Sequence, residues 1–241
     1  MDNELNVRIA IVTGASRGFG RAIAEALAAD GATVLGVSRS APAAATSATW
    51  VKGDATDPGT AADLIAEHRP DLLVLNAGAV PAMGPLHTLS WDDFSRNWHV
   101  DTRHAFTWTR AALTAPLAPG STVVTISSGA ALRGSPASGG YAGAKAAIRF
   151  LTAYAADESA RAGLGLRFVT LLPMLTPATD LGRAGVGAYA ARAGVDPATH
   201  IATMGTVLTP EQVADAVRTA VRDAASGAEY LVTADGSRPV A

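Results

Sequence analysis

A chain of 241 residues with 49% hydrophobic and 17% charged side chains can bury a large core, which excludes an intrinsically disordered chain. Its 19 basic and 21 acidic residues leave a formal charge of -2, without the cationic surplus that nucleic acid or an anionic membrane requires. The lack of cysteine excludes disulfides, thiolate metal sites and a cysteine nucleophile.

In chain order, short Val/Ile/Leu-rich runs predict strands at 7–13, 33–37, 50–53, 72–75, 122–127, 167–172 and 230–233. Alanine-rich stretches at helical spacing predict helices at 18–29, closed by Asp30-Gly31, and at 61–67, 91–117, 140–162 and 211–224. This alternation is the pattern of repeated βαβ units, so the expected class is α/β, a parallel sheet buried on both faces by helices. No repeat or charged linker divides the chain, and one domain over 1–241 is expected. Two stretches lack apolar periodicity: 40–49, and 176–209, where Gly and Pro interrupt a helical piece around 188–192. Long connections of that kind are usually functional or mobile. The opening Met1-Asp2-Asn3-Glu4 has no basic region before an apolar stretch, and no run approaches about 18 apolar residues, so a soluble cytoplasmic protein with a small-molecule partner is expected.

Thr13-Gly14-Ala15-Ser16-Arg17-Gly18-Phe19-Gly20 follows the first strand and opens the first helix. In that context glycines let the backbone approach a pyrophosphate at a helix N-terminus. The alternative is an ordinary tight strand-to-helix turn. Gly14-Ala15-Ser16-Arg17-Gly18 also spells Gly-x-Ser-x-Gly, the elbow of serine hydrolases, with His200 as the only nominal partner. The position after the first strand argues against that rival, because the hydrolase elbow follows several strands. At the end of the second strand, Val37-Ser38-Arg39-Ser40 offers no acidic residue for a ribose 2′-hydroxyl. Arg17 and Arg39 are instead suited to clamp a 2′-phosphate, so NADP (NADPH) is the expected cofactor.

Tyr141-Ala142-Gly143-Ala144-Lys145 places a phenol and an ammonium four residues apart, on one helix face. A neighbouring cation favours phenolate and lowers a tyrosine pKa from about 10 toward the working range of a general acid/base. Ser128, at a strand end, can offer its hydroxyl to a substrate carbonyl.

Together with Asn76-Ala77-Gly78, these motifs come in an order and spacing that resemble the short-chain dehydrogenase/reductase family, over about 7–236. The resemblance implies a Rossmann-type doubly wound sheet, reversible carbonyl reduction on a small carbonyl or alcohol substrate, and a homodimer or homotetramer. It further implies that Tyr141 is the acid/base, that Lys145 binds the nicotinamide ribose and depresses the tyrosine pKa, and that Ser128 orients the carbonyl. Asp54 and Ala55 would meet the adenine. Asn76, Ala77, Gly78 and Pro173 would lie along the cofactor, and 176–209 would form the substrate lid.

Three departures stand out. Leu75 replaces the first Asn of the usual Asn-Asn-Ala-Gly. Met174 replaces the glycine of a usual Pro-Gly, and Met does not readily adopt positive φ. Asp101 stands where many members carry the Asn that links to the lysine in a proton relay, so the expectation is activity with a shifted pH optimum. With that relay altered, a cofactor-binding protein of redirected catalysis is the rival within the fold. His99 and His104, five apart, are not aligned for a metal, and no metal site is expected. They are expected at the surface or in packing, as are Trp91, Trp98 and Trp108 in core or subunit contacts. Tyr189, Arg192 and Met204 are candidates to face substrate.

Overall fold

A computed structural model of the chain describes residues 7–115 and 117–240; Met1 to Glu4, and Pro116 within the expected 91–117 helix, lie outside them. The apolar runs form β1 (Ile9–Thr13), β2 (Thr33–Ser38), β3 (Thr49–Lys52), β4 (Leu72–Leu75), β5 (Thr122–Ile126), β6 (Arg167–Pro173) and β7 (Glu229–Thr233), with β8 (Gly236–Pro239) added at the edge. They build one eight-stranded sheet of order β3-β2-β1-β4-β5-β6-β7-β8, parallel except for the β7–β8 pair. β4 and β5 are buried along their whole length, as expected of central strands covered on both faces.

The helices are α1 (Gly18–Ala29), α2 (Pro58–His68), α3 (Trp91–Asn97), α4 (Arg103–Thr114), α5 (Ala130–Arg133), α6 (Gly139–Arg161), α7 (Asp180–Ala193), α8 (Pro197–Thr203) and α9 (Pro210–Asp223). Side chains alternate across the strands. Val12, Val74 and Val124 meet Ile23 and Leu27 of α1 and Val213 and Val217 of α9 in one core layer. Ile11, Leu73 and Val123 meet Ile65 of α2, Trp108 of α4 and Ala155 of α6 in the other. This is the doubly wound Rossmann-type arrangement.

Chain order reverses between β1 and β4, and their carboxyl ends open a crevice, the general ligand position in such sheets. Just beyond β4, Asn76 Nδ2 donates to the carbonyls of Thr13 (3.1 Å) and Gly14 (3.4 Å) and fastens the two strand ends together.

Besides the short helix α5, which no pattern announced, the architecture differs from the sequence expectation in three places. β8, Gly-Ser-Arg-Pro, is exposed and has no apolar alternation; its pairing rests on the backbone of a tight hairpin. The expected 91–117 helix is broken by a π-helical stretch, Trp98–Thr102, between α3 and α4. Residues 176–209 hold two helices, α7 and α8, begun by Thr179 and Asp196 side chains that accept from backbone N–H groups.

Candidate active site

Thr13, the last residue of β1, organises the crevice through one buried hydroxyl. Its Oγ1 accepts from the backbone N–H of Asn76 (2.9 Å) and Ala77 (3.2 Å), and lies 3.2 Å from the Val74 carbonyl and 3.0 Å from His104 Nε2. Burial, then the Lys145 charge, pushes the His104 pKa down to about 3, so the ring stays neutral at ordinary pH. Gly14 leaves the strand with φ 69°. A Cβ on Gly20 would stand 2.3 Å from the Gly14 oxygen and 2.4 Å from Asn76 Nδ2, so only glycine allows α1 to start this close to β1.

α1 opens with no side-chain cap and no acidic residue in its first turn. Its leading N–H groups lack an internal anionic partner, and the residues at its start line the cleft, so the turn fits a pyrophosphate. Every catalytic and cofactor-binding residue singled out in the sequence lines this one cleft of about 1020 Å³, except Gly20, which is buried beneath the turn.

At one end, Asp54 Oδ1 accepts from the Thr56 N–H and hydroxyl, both 2.9 Å, leaving Oδ2 open among the described residues. The Thr56 backbone bond is the main reason the Asp54 pKa is lowered, with Arg39 adding a smaller pull. Ser38 Oγ donates to the Ser40 carbonyl (2.8 Å) and accepts from Trp50 Nε1 (3.0 Å), so its hydroxyl serves the loop. Arg39 has no ion-pair partner among the described residues. Arg17, by contrast, pairs with Asp180 of α7 at 3.1 Å, with both side chains largely exposed. Exposed pairs contribute about 0–1 kcal/mol, so an incoming anion can displace this one.

At the other end, α6 carries Tyr141 and Lys145. Its start lies so close to α3 that a Cβ on Gly140 would fall 1.9 Å from the Phe94 oxygen. Ser127 Oγ donates to the Lys145 carbonyl at 2.8 Å and ties α6 to the end of β5, where Ser128 follows. Lys145 Nζ donates to the Ile126 carbonyl (3.1 Å) and stands 5.6 Å from the Tyr141 ring centre. Only one of three ammonium protons is used there.

The π-helical stretch delivers Asp101, which is fully buried. Its Oδ1 accepts from the Ala79 N–H (2.8 Å) and Asn97 Nδ2 (3.2 Å), while Oδ2 lies 3.3 Å from Lys145 Nζ, an ion-pair contact without hydrogen-bond alignment. Gly78 makes room for it, since a Cβ there would meet Oδ2 at 2.8 Å. Burial opposes the Lys145 ammonium, but Asp101 and Tyr141 outweigh it and its pKa is raised. Tyr141 is raised as well: burial pushes it up and Asp101 adds, against the downward pull of Lys145 and of hydrogen bonding with Ser128. The expected lowering by Lys145 is therefore present as one contribution, and burial overrides it.

Some residues of the cleft escape sequence reasoning. Asn97 holds Asp101 and also donates to the Ala79 carbonyl (2.9 Å); its position one turn before Asp101 is the only sequence signal. His104 lies under the crevice. Ser135 Oγ bonds both Ser138 Oγ (2.7 Å) and the Tyr189 hydroxyl (2.6 Å), and the Tyr189 ring stacks on His200. Tyr189 does line the cleft, whereas Arg192 and Met204 are not among its lining residues. Trp108 is core, its Nε1 donating to the Ala55 carbonyl at 2.9 Å; Trp91 and Trp98 are exposed. Met174 has no positive φ and extends β6 by donating its N–H to Val232. Ser16 makes no hydrogen bond to a histidine among the described residues.

A parallel sheet with a glycine turn at its switch point and a Ser-Tyr-Lys group in the same cleft defines a dinucleotide-binding oxidoreductase fold. The family model for short chain dehydrogenases matches residues 8–187, and the chain belongs to that family. It is 34% identical over 240 aligned residues, 91% of each chain, to cis-4-hydroxycyclohexanecarboxylate dehydrogenase of Sinomonas cyclohexanicum. Among solved structures it resembles a short chain dehydrogenase from Burkholderia cenocepacia in complex with NADP, at TM-score 0.78 and 28% identity over 96% of this chain and 98% of that one. It also resembles the ligand-free aldohexose dehydrogenase of Thermoplasma acidophilum, at TM-score 0.79 and 26% identity over 95% and 93%.

Proposed function

We propose that the chain is an NADP(H)-dependent reductase or dehydrogenase acting on the carbonyl, or the corresponding secondary alcohol, of a small molecule. The observation that carries this reading is the convergence of Ser128, Tyr141 and Lys145 with the glycine turn in one cleft. The bound dinucleotide supplies the hydride. Ser128 holds the carbonyl oxygen, and the Tyr141 phenol gives it a proton as negative charge develops there. Because burial raises the Tyr141 pKa, the phenol is stocked with its proton at neutral pH, which favours its role as an acid. Lys145, held by Asp101 and Ile126, keeps its charge and has two ammonium protons left for the ribose or for water.

NADP rather than NAD is supported by Arg39, without an acidic neighbour at the end of β2, and by Arg17, whose exposed pair with Asp180 yields readily to a phosphate. The stretch 176–209 serves as the substrate lid of a single domain. A homo-oligomer belongs to the same proposal, since α4 and α6 leave Phe106, Phe150 and Tyr154 exposed.

The test is NADPH oxidation with a panel of ketones and aldehydes by wild type and Tyr141→Phe. Turnover by wild type, reduced about 100- to 10,000-fold in the variant while NADPH still binds, is the expected result. NADPH binding with no turnover of any member would favour the non-catalytic alternative.

A further inference from the structure

Of the charged groups lining the cleft, Lys145, Arg17 and Arg183 have carboxylate partners, whereas Arg39, Asp54 and Arg133 form no ion pair among the described residues. Asp101 answers Lys145, and Asp180 answers both Arg17 and Arg183. Arg39 stands at the end where β2 finishes. At the catalytic end one cation is left over: Arg133, the last residue of α5, which starts two residues after Ser128. No carboxylate reaches it among the described residues. Gly134 then turns the chain with φ 79°, so the exposed Arg133 and the buried Ser135 stand on either side of one tight turn, and both line the cleft.

Ser135 is the middle of a chain of three hydroxyls, Ser138–Ser135–Tyr189. Three hydroxyls carry three protons, and two are used between them. One O–H of the three is left to donate, on Ser135 or at one end, with no further partner among the described residues. Ser135 and Ser138 are buried, at 8% and 6% exposure, and Tyr189 is half-buried, so the hydroxyl chain is largely shielded from water. Met174, beside Gly129, and Val80 add uncovered apolar side chains to the cleft.

We propose that Arg133 and the Ser138–Ser135–Tyr189 hydroxyl chain form a subsite for a carboxylate on the substrate, so that the enzyme acts on keto or hydroxy monocarboxylic acids with an apolar body. The inference rests on the oxidoreductase reading above. One cation and one spare O–H match one carboxylate: the guanidinium takes it as a planar fork, and the hydroxyl chain supplies a further donor. A neutral ketone of the same shape would leave both groups without a partner, and a site built to bond a polar group discriminates against the analogue that lacks it.

The test is a series of keto acids of different body size, each beside its methyl ester, including 5-oxohexanoate and 4-acetylbenzoate. kcat/KM with NADPH is measured for wild type, Arg133→Gln, Arg133→Lys and Tyr189→Phe, and NADPH affinity is measured on each protein to verify the folded cleft. In wild type the best substrate should be an acid, preferred over its ester roughly 10- to 100-fold, mainly through KM. In Arg133→Gln that acid-to-ester ratio falls to near one, Arg133→Lys recovers part of it, and Tyr189→Phe loses part of it. A neutral ester as the best substrate, or an acid preference that Arg133→Gln leaves intact, overturns the subsite. Absence of NADPH oxidation with every member overturns the oxidoreductase reading instead.

Discussion

Asp101 faces Lys145 with an ionisable carboxyl group where an amide would be neutral, and its coulombic effect pushes the pKa of both Lys145 and Tyr141 upward. Asp101→Asn keeps an oxygen for the Ala79 N–H and removes the charge. The Tyr141 pKa should then fall, so reductive kcat/KM, which needs the protonated phenol, declines at a lower pH than in wild type; superimposable pH profiles would exclude a role for the charge. Asp101→Ala removes the acceptor too and leaves Lys145 buried and unpaired, which should destabilise the fold by about 3–5 kcal/mol in a denaturant titration. His104 makes a second prediction. Its folded pKa, about 3, lies below the ordinary 6.5, so its contribution to stability is complete above pH 6.5 and is lost as the pH falls toward 3. In His104→Gln the melting temperature should depend less on pH across that window, and parallel curves would refute the assignment. Of these two residues the sequence announced Asp101, because it sits inside a motif. His104 was legible only as a packing residue, since a helix pattern does not say which strand end lies beneath it.

At the scale of elements, α6 is set by contacts that leave little slack. Gly140→Ala would drive a Cβ into the Phe94 carbonyl, and the helix must shift away from α3. We expect a loss of about 1–3 kcal/mol in thermal or denaturant unfolding, together with reduced kcat, because Tyr141 is the next residue; wild-type stability and turnover would show that the close approach is dispensable. The inner strands were readable because buried parallel strands appear as continuous apolar runs, and the exposed edge strand β3 was marked only by Trp50 and Val51. β8 was not, since a short edge strand of Gly, Ser, Arg and Pro owes its place to backbone pairing with β7. The π-helical stretch was hidden for a related reason: the apolar spacing of 91–117 satisfies a continuous helix, and the wider turn goes with long-range bonds from Asp101 and Asn97 to Ala79 that no local pattern announces. In the same way α8 and the first part of α7 were obscured by glycines and prolines, although the Thr179 and Asp196 caps mark their starts; the helical piece expected at 188–192 is the end of α7.

Over the whole molecule, the two ends of one cleft come from segments far apart in sequence: a turn after β1 on one side, α6 and the β5 end on the other, with Thr13 fastened to Asn76 between them. That long-range closure explains why the motifs persuade together and say little apart. It also leaves the outer faces of α4 and α6 free to pair with a second copy. Phe150→Glu, on the exposed stack of Phe150 with Tyr154, should lower the mass seen in light scattering if those faces meet, and an unchanged mass would place the contact elsewhere. The role of Tyr141 is tested most directly by kcat/KM for NADPH-dependent reduction of a ketone across pH in wild type and Tyr141→Phe, with NADPH affinity measured on both. The prediction is a wild-type rate that falls only on the alkaline side, and a variant that binds NADPH normally yet loses about 100- to 10,000-fold in rate. A variant that keeps the wild-type rate and the alkaline fall would contradict Tyr141 as the proton donor.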